Sequence, residues 1–88
     1  MFVILYYDVN SKRCGKMVKA CRKYLQWVQN SVFEGEISEA AYEKMILELK
    51  KILKSEDNDS IIVYKFRQMK YYDRCVYGMD KKDDIQFI

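Results

Sequence analysis

A chain without histidine cannot run imidazole acid–base chemistry, and none occurs among these 88 residues. Hydrolysis would then need a metal ion, carboxylates, tyrosine or lysine. The best-placed carboxylate is Asp8, which closes the apolar run Phe2-Val3-Ile4-Leu5-Tyr6-Tyr7 and precedes a basic stretch. Strand ends are the usual place for a site on an open sheet. Magnesium is commonly held by one or two carboxylates, with water and phosphate oxygens completing its shell. A lone Asp8 is too little; two copies brought together across a dimer axis would suffice. The plainer alternative is that Asp8 only helps to cap the helix that follows.

That helix is unusual in its charge. Lys12, Arg13, Lys16, Lys19, Arg22 and Lys23 share it with no acid among them, so it forgoes the local pairing that mixed signs provide. Net charge is +5 over residues 1–33, −4 over 34–59 and +2 over 60–88, giving +3 in all. Polarity of this kind points to polyanionic partners. Lys12, Arg13, Lys16, Lys19 and Arg22 are the candidate nucleic-acid contacts, supported by Arg67, Lys70 and Arg74. Such contacts would fall on phosphates and position the polymer without reading its sequence. The competing reading is a solvated helix face. Base stacking on tyrosine is a further option, but Tyr6, Tyr24, Tyr42 and Tyr64 sit in patterns that core or interface packing explains. Tyr7, beside Asp8, is the exception. Phe33 is open between core and site, and Trp27 reads as packing.

The elements that must position these residues follow from periodicity. Residues 2–7 are apolar at every position, as in a strand buried on both faces. Asn10 or Ser11 can cap a helix over about Lys12–Tyr24, with Cys14, Met17, Val18, Cys21 and Leu25 as its core stripe. Trp27–Ile37 reads as a short hairpin or a single bulged strand, with Asn30-Ser31 tolerant of a turn. Gly35 offers a place to bend or to take positive φ. Ser38 caps a second helix running to about Lys54, faced by Tyr42, Met45, Ile46, Leu49, Ile52 and Leu53. Ser55–Asp59 is a polar loop, Ser60–Phe66 a strand, Arg67–Asp73 a connection and Arg74–Tyr77 a short fifth strand ending at Gly78.

This order fits an α+β fold, a ferredoxin-like βαββαβ sandwich with an additional C-terminal strand. Residues 1–78 form the domain, and the tail 79–88 packs on a partner protomer. Right-handed crossovers place both helices on one face of the sheet. The other face, with Tyr64, Phe66 and the apolar tail helping to seal it, calls for a two-fold homodimer. Three cysteines, without C-x-x-C or histidine, argue against zinc and read as small buried hydrophobes in a reducing compartment. Cys14 and Cys21, about 10 Å apart along a helix, are out of disulfide reach. No signal peptide or membrane segment is expected, which makes the cytoplasm the default compartment.

The wording of Val28-Gln29-Asn30-Ser31-Val32-Phe33-Glu34-Gly35-Glu36 resembles the signature of the small CRISPR-associated endoribonuclease family, the lesser subunit of the spacer-acquisition machinery. Val3–Val9 followed by Lys12-Arg13 resembles the family's opening strand and basic helix start. Ser60–Phe66 with Cys75-Val-Tyr-Gly78 resembles its late strands. The resemblance implies a ferredoxin-like dimer whose C-terminal strand joins the partner's sheet. It implies magnesium (or manganese) dependent cleavage of RNA or DNA, and a bridging role between two integrase dimers and duplex DNA. Asp8 matches the metal-binding aspartate with Tyr7 beside it, Arg13 a basic residue near the site, and Phe33 the signature phenylalanine. Trp27 departs from the pattern, since many members carry arginine there. Two other readings fit a chain this small: a toxin-type ribonuclease of the virulence-associated protein D kind, and a ferredoxin-like module that binds a small ligand.

Overall fold

Strand β1 (Phe2–Asp8) forms the centre of a four-stranded antiparallel sheet, flanked by β3 (Val32–Glu36) and β4 (Ser60–Phe66), with β2 (Gln26–Gln29) outside β3. The computed structural model describes residues 1–67 and 73–80. Helix α1 (Ser11–Arg22) follows β1, and α2 (Glu39–Ile52) joins β3 to β4. The element order is therefore βαββαβ, and both helices lie on one face of the sheet.

Alternation along β1 decides which side chains meet the helices. Val3, Leu5 and Tyr7 point into the core with Phe33 from β3, and all four are buried. Met17, Ala20, Cys21 and Leu25 meet them from α1 and its end, and Met45 and Leu49 from α2. Ile4, Tyr6 and Asp8 face the other way, opposite Tyr64, Ile62 and Ser60 on β4. The expectation that β1 is buried on both faces fails within the single chain: Tyr6 is 36% exposed, Ile62 40% and Tyr64 54%. Among the described residues no helix covers that side.

Capping sets the helix starts. The Asn10 side chain accepts the Lys12 N–H at 3.1 Å, and Ser38 Oγ accepts the Ala41 N–H at 3.1 Å. Helix α1 stops at Arg22, earlier than expected, because the Lys23 and Tyr24 N–H groups turn to the Ala20 and Cys21 carbonyls in a tightened last turn. Tyr24 Oη then donates to Glu48 on α2 at 2.6 Å, tying the two helices together. Helix α2 ends where Leu53 takes an extended conformation.

Residues 26–36 make a hairpin, with a register shift between Trp27 and Gln29 and the turn carried by Asn30 at φ 46°. The stretch is thus the hairpin and not a single strand, and the irregularity expected of a bulged strand falls within β2. Gly35 lies within β3 without positive φ; a Cβ there would sit 3.4 Å from Leu25 Cδ2, so the need is for close approach. Residues 73–80 pair with no strand among the described residues, which corrects the expected fifth strand at Arg74–Tyr77 within this chain. They lie instead over the β2–β3 side of the open face, where Arg74 donates to Glu34 and to Asp80. Residues 68–72 and 81–88, which include Lys70 and most of the apolar tail, lie outside the described residues.

All three cysteines are free thiols. Cys21 fits the expectation of a small buried hydrophobe, and burial pushes its thiol up to about 12. Cys75 does not, being exposed. Among the described residues no helix is long and apolar enough to cross a membrane.

Candidate active site

Asp8 sits at the last rung of β1, opposite Ser60, with its side chain exposed on the open face of the sheet. It shares that face with Ile4 and Tyr6 because residues two apart on a strand point the same way. Tyr7 points the opposite way. It is buried, and its ring stacks on Phe33 with centroids 6.3 Å apart and 28° between planes. Burial pushes the Tyr7 hydroxyl up to about 12, with Cys14 and Cys21 adding to the effect. A phenol in that setting stays protonated at neutral pH and cannot serve there as a base. Tyr7 and Phe33 thus support Asp8 from beneath, as part of the packed floor. Trp27, opposite Phe33, lies on the same helix-facing side and donates its indole N–H to the Asn30 carbonyl at 2.9 Å.

Arg13 corrects an expectation. It was expected to face a phosphate, yet it is buried, and its donors are committed to two carboxylates. Nε donates to Asp59 Oδ2 at 2.6 Å and Nη2 to Asp57 Oδ2 at 2.7 Å. Asp59 is the centre of this cluster, also accepting the Asn10 and Lys54 N–H groups at 2.9 and 3.1 Å. Arg13 above all, then the two backbone donors, hold the Asp59 carboxyl well below the usual carboxylate range despite its burial. Sequence reasoning missed Asp57 and Asp59 because a polar loop gives no sign of which acids turn inward. The one available signal was an arginine at a helix's first turn, on the side that faces the β4 end.

The sign of the resulting pH dependence is fixed. A carboxyl whose folded pKa is depressed takes up its proton in the unfolded chain first, so it stabilises the fold above about pH 4 and loses that effect as pH falls below. The melting temperature should decline from about pH 4 towards pH 2. In Asp59→Asn the curve should start lower and fall less steeply, which a thermal melt at each pH would measure.

The remaining basic side chains divide into free and committed. Lys12, Lys16 and Lys19 are exposed and make no ion pair among the described residues. Lys16 and Lys19 from α1, Lys23 just past its end and Lys51 from α2 border a shallow groove of about 390 Å³ between the helices, in which Glu48 is the acidic residue. Lys23 pairs with Glu48 at 3.1 Å. Arg22 is half-buried, and its Nε has no hydrogen-bond partner among the described residues. Arg67 pairs with Glu39, and Arg74 with Glu34 and Asp80, so both already have acidic partners. The lysines of α1 carry accessible positive charge on the helix layer, away from the open face, and Lys44, Lys50, Lys51 and Lys54, on α2 and just past its end, are exposed as well.

One protomer offers a cation little. No group of three or more histidine, cysteine or acidic side chains comes together among the described residues. Asp8 alone supplies one carboxylate, the lower end of what magnesium commonly takes from protein, and a second copy of Asp8 would bring the donor set to two.

The model of the family described as CRISPR associated protein Cas2 matches residues 1–74. The chain belongs to the Cas2 family. It is 44% identical over 88 residues to the CRISPR-associated endoribonuclease Cas2 of Dictyoglomus turgidum, covering 100% of both chains. To the Thermotoga maritima protein of the same name it is 45% identical over 84 residues, covering 96% of this chain and 95% of the other. A crystal structure of Cas2 superposes with a TM-score of 0.81 at 43% identity, covering 92% of this chain and 90% of that one. Streptococcus pyogenes Cas2 gives 0.70 at 31%, covering 86% and 100%. The Cas2 fold is thus the ferredoxin-like α+β sandwich expected from the element order.

Proposed function

We propose that this Cas2-family chain works as a two-fold dimer that cleaves RNA or DNA phosphodiesters and bridges integrase subunits on duplex DNA. The observation that carries this reading is the placement of Asp8, exposed at the end of the central strand on the sheet face that no helix covers. The same face bears Tyr6, Ile62 and Tyr64, whose exposed rings and methyls favour cover by a second copy. In an isologous pair whatever one protomer presents near the axis the other presents too, so two Asp8 carboxylates can meet. The family's C-terminal strand would add to the free edge of the partner's β4, giving residues 74–78 and the tail their role.

The two Asp8 carboxylates would hold magnesium or manganese, which when bound neutralises charge on the phosphate and acidifies a water. Everything else falls to the chain itself. Tyr7, Phe33 and the core beneath them keep β1 from shifting. Lys12, Lys16 and Lys19 draw a polyanion to α1 without reading its bases. Arg13 acts within the fold and touches no substrate.

The decisive experiment is cleavage of short RNA and duplex DNA in magnesium by the parent and by Asp8→Asn. Cleavage that persists in a folded, dimeric Asp8→Asn protein removes the site assignment. Spacer integration that survives in the same variant supports bridging without catalysis.

The lysine face makes a separate expectation. In the double variant Lys16→Ala/Lys19→Ala the dependence of log affinity for duplex DNA on log salt should flatten by about 1.8 for each protomer in contact with the duplex, the release from two phosphates per protomer. Fluorescence anisotropy across a salt series measures it.

A further inference from the structure

Arg13 and Asp59 are an unusual way to fasten a helix to a loop. The Arg13 side chain is 7% exposed and that of Asp59 0%. Taking both charges out of water offsets much of their attraction, and an apolar pair of similar volume commonly holds elements together as well. What the ion pair adds is fixed geometry, and its position shows what is being fixed. Asp59 Oδ1 accepts the N–H of Asn10, two residues beyond Asp8, while Oδ2 accepts Arg13 Nε and the N–H of Lys54. The next residue, Ser60, is the rung directly opposite Asp8. On the other side, the Tyr7 N–H donates to the Ser31 carbonyl at 3.2 Å. The backbone is therefore pinned immediately before Asp8, across from it and two residues after it.

We propose that Asp59 and Arg13 are positioning residues for Asp8, holding the β1–α1 turn so that its carboxylate stands at a fixed place on the open face. The proposal rests on the reading of Asp8 as the site carboxylate. Partners that orient a functional side chain typically contribute 10–100-fold to activity, and a misplacement of about 1 Å can cost on the order of 10²-fold.

Two substitutions separate positioning from stability. In Asp59→Asn an amide with its oxygen on the Asn10 N–H sets its NH2 against the donors of Arg13 and Lys54. In Arg13→Met/Asp59→Leu the charges leave together, and the surface N–H groups of Asn10 and Lys54 turn to water. Both are expected to lower kcat on a short single-stranded RNA about 10–100-fold, with KM within about twofold of the parent. The apolar double variant should melt within a few degrees of the parent and still show the kinetic deficit. Amide exchange at residues 8–11, followed without metal or substrate, should quicken about tenfold or more in both. A double variant that melts like the parent and keeps the parent's kcat overturns the proposal. Should neither buried variant fold, Asp57→Asn removes only the outer, partly exposed carboxylate. Faster exchange at Asn10 is expected in it, and unchanged exchange with unchanged kcat there overturns the proposal equally. A parent protein that cleaves nothing defeats the reading of Asp8, while exchange at residues 8–11 still judges the clasp.

Discussion

Asp8→Asn should lower phosphodiester cleavage roughly 10³-fold, the rate equivalent of about 4 kcal/mol of lost charge stabilisation at the phosphate. The substitution is nearly isosteric, so the loss is chemical. Asp8 is exposed and its side chain makes no hydrogen bond among the described residues, so no buried partner is orphaned by the change. The melting temperature should stay within about 2 °C of the parent, as for a surface substitution. In the proposed dimer, which would carry two copies, the variant removes both carboxylates at once and leaves no half-site to bind a cation. Discontinuous cleavage assays beside a thermal melt separate this outcome from unfolding. A variant that is inactive because it has unfolded would show it in the melt.

Ile62→Glu/Tyr64→Glu should produce a folded monomer that has lost both cleavage and duplex bridging. Both side chains lie on the face turned away from the helices, at 40% and 54% exposure in the single chain, so the core formed by Val3, Leu5, Phe33, Met45 and Leu49 is untouched. In a two-fold interface each substitution counts twice and sets like charges near the axis. Burying charge without a partner is costly enough to raise the dimer dissociation constant on the order of 10³-fold. Sedimentation velocity at working concentration would follow the shift. The same variant should keep its far-ultraviolet spectrum, since neither residue contributes to a helix.

These expectations lean unevenly on what the chain announces about itself. Strand β4 was legible to the residue, because the β-branched and aromatic run Ile61-Ile62-Val63-Tyr64 lies between a polar loop and an arginine. The cap at Ser38 was equally plain, since hydroxyls before an apolar period start helices for a local reason. Asp8 could be placed at a strand end by the same local logic. What could not be read was the direction of long side chains. Arg13 sits among six basic residues of one stretch, and only the tertiary fold turns it inward to Asp57 and Asp59 while Lys12 and Lys16 stay in solvent. Both acids belong to a loop 44 to 46 residues away, beyond any periodicity. Tyr7 was misleading for a related reason: adjacency to Asp8 in sequence means opposition across a sheet. The stretch Arg74–Tyr77 has strand-forming residues, yet Arg74 ties it over the open face to Glu34 and Asp80 and not along the edge of β2 or β4, and backbone without a ladder is not a strand.

The central claim is that two chains share one cation through Asp8. Titrating the protein with manganese and counting bound ions by electron paramagnetic resonance tests it most directly. One ion per two chains, lost in Asp8→Asn and lost again in Ile62→Glu/Tyr64→Glu, is the predicted result. One ion per chain, or binding that survives either variant undiminished, would contradict it.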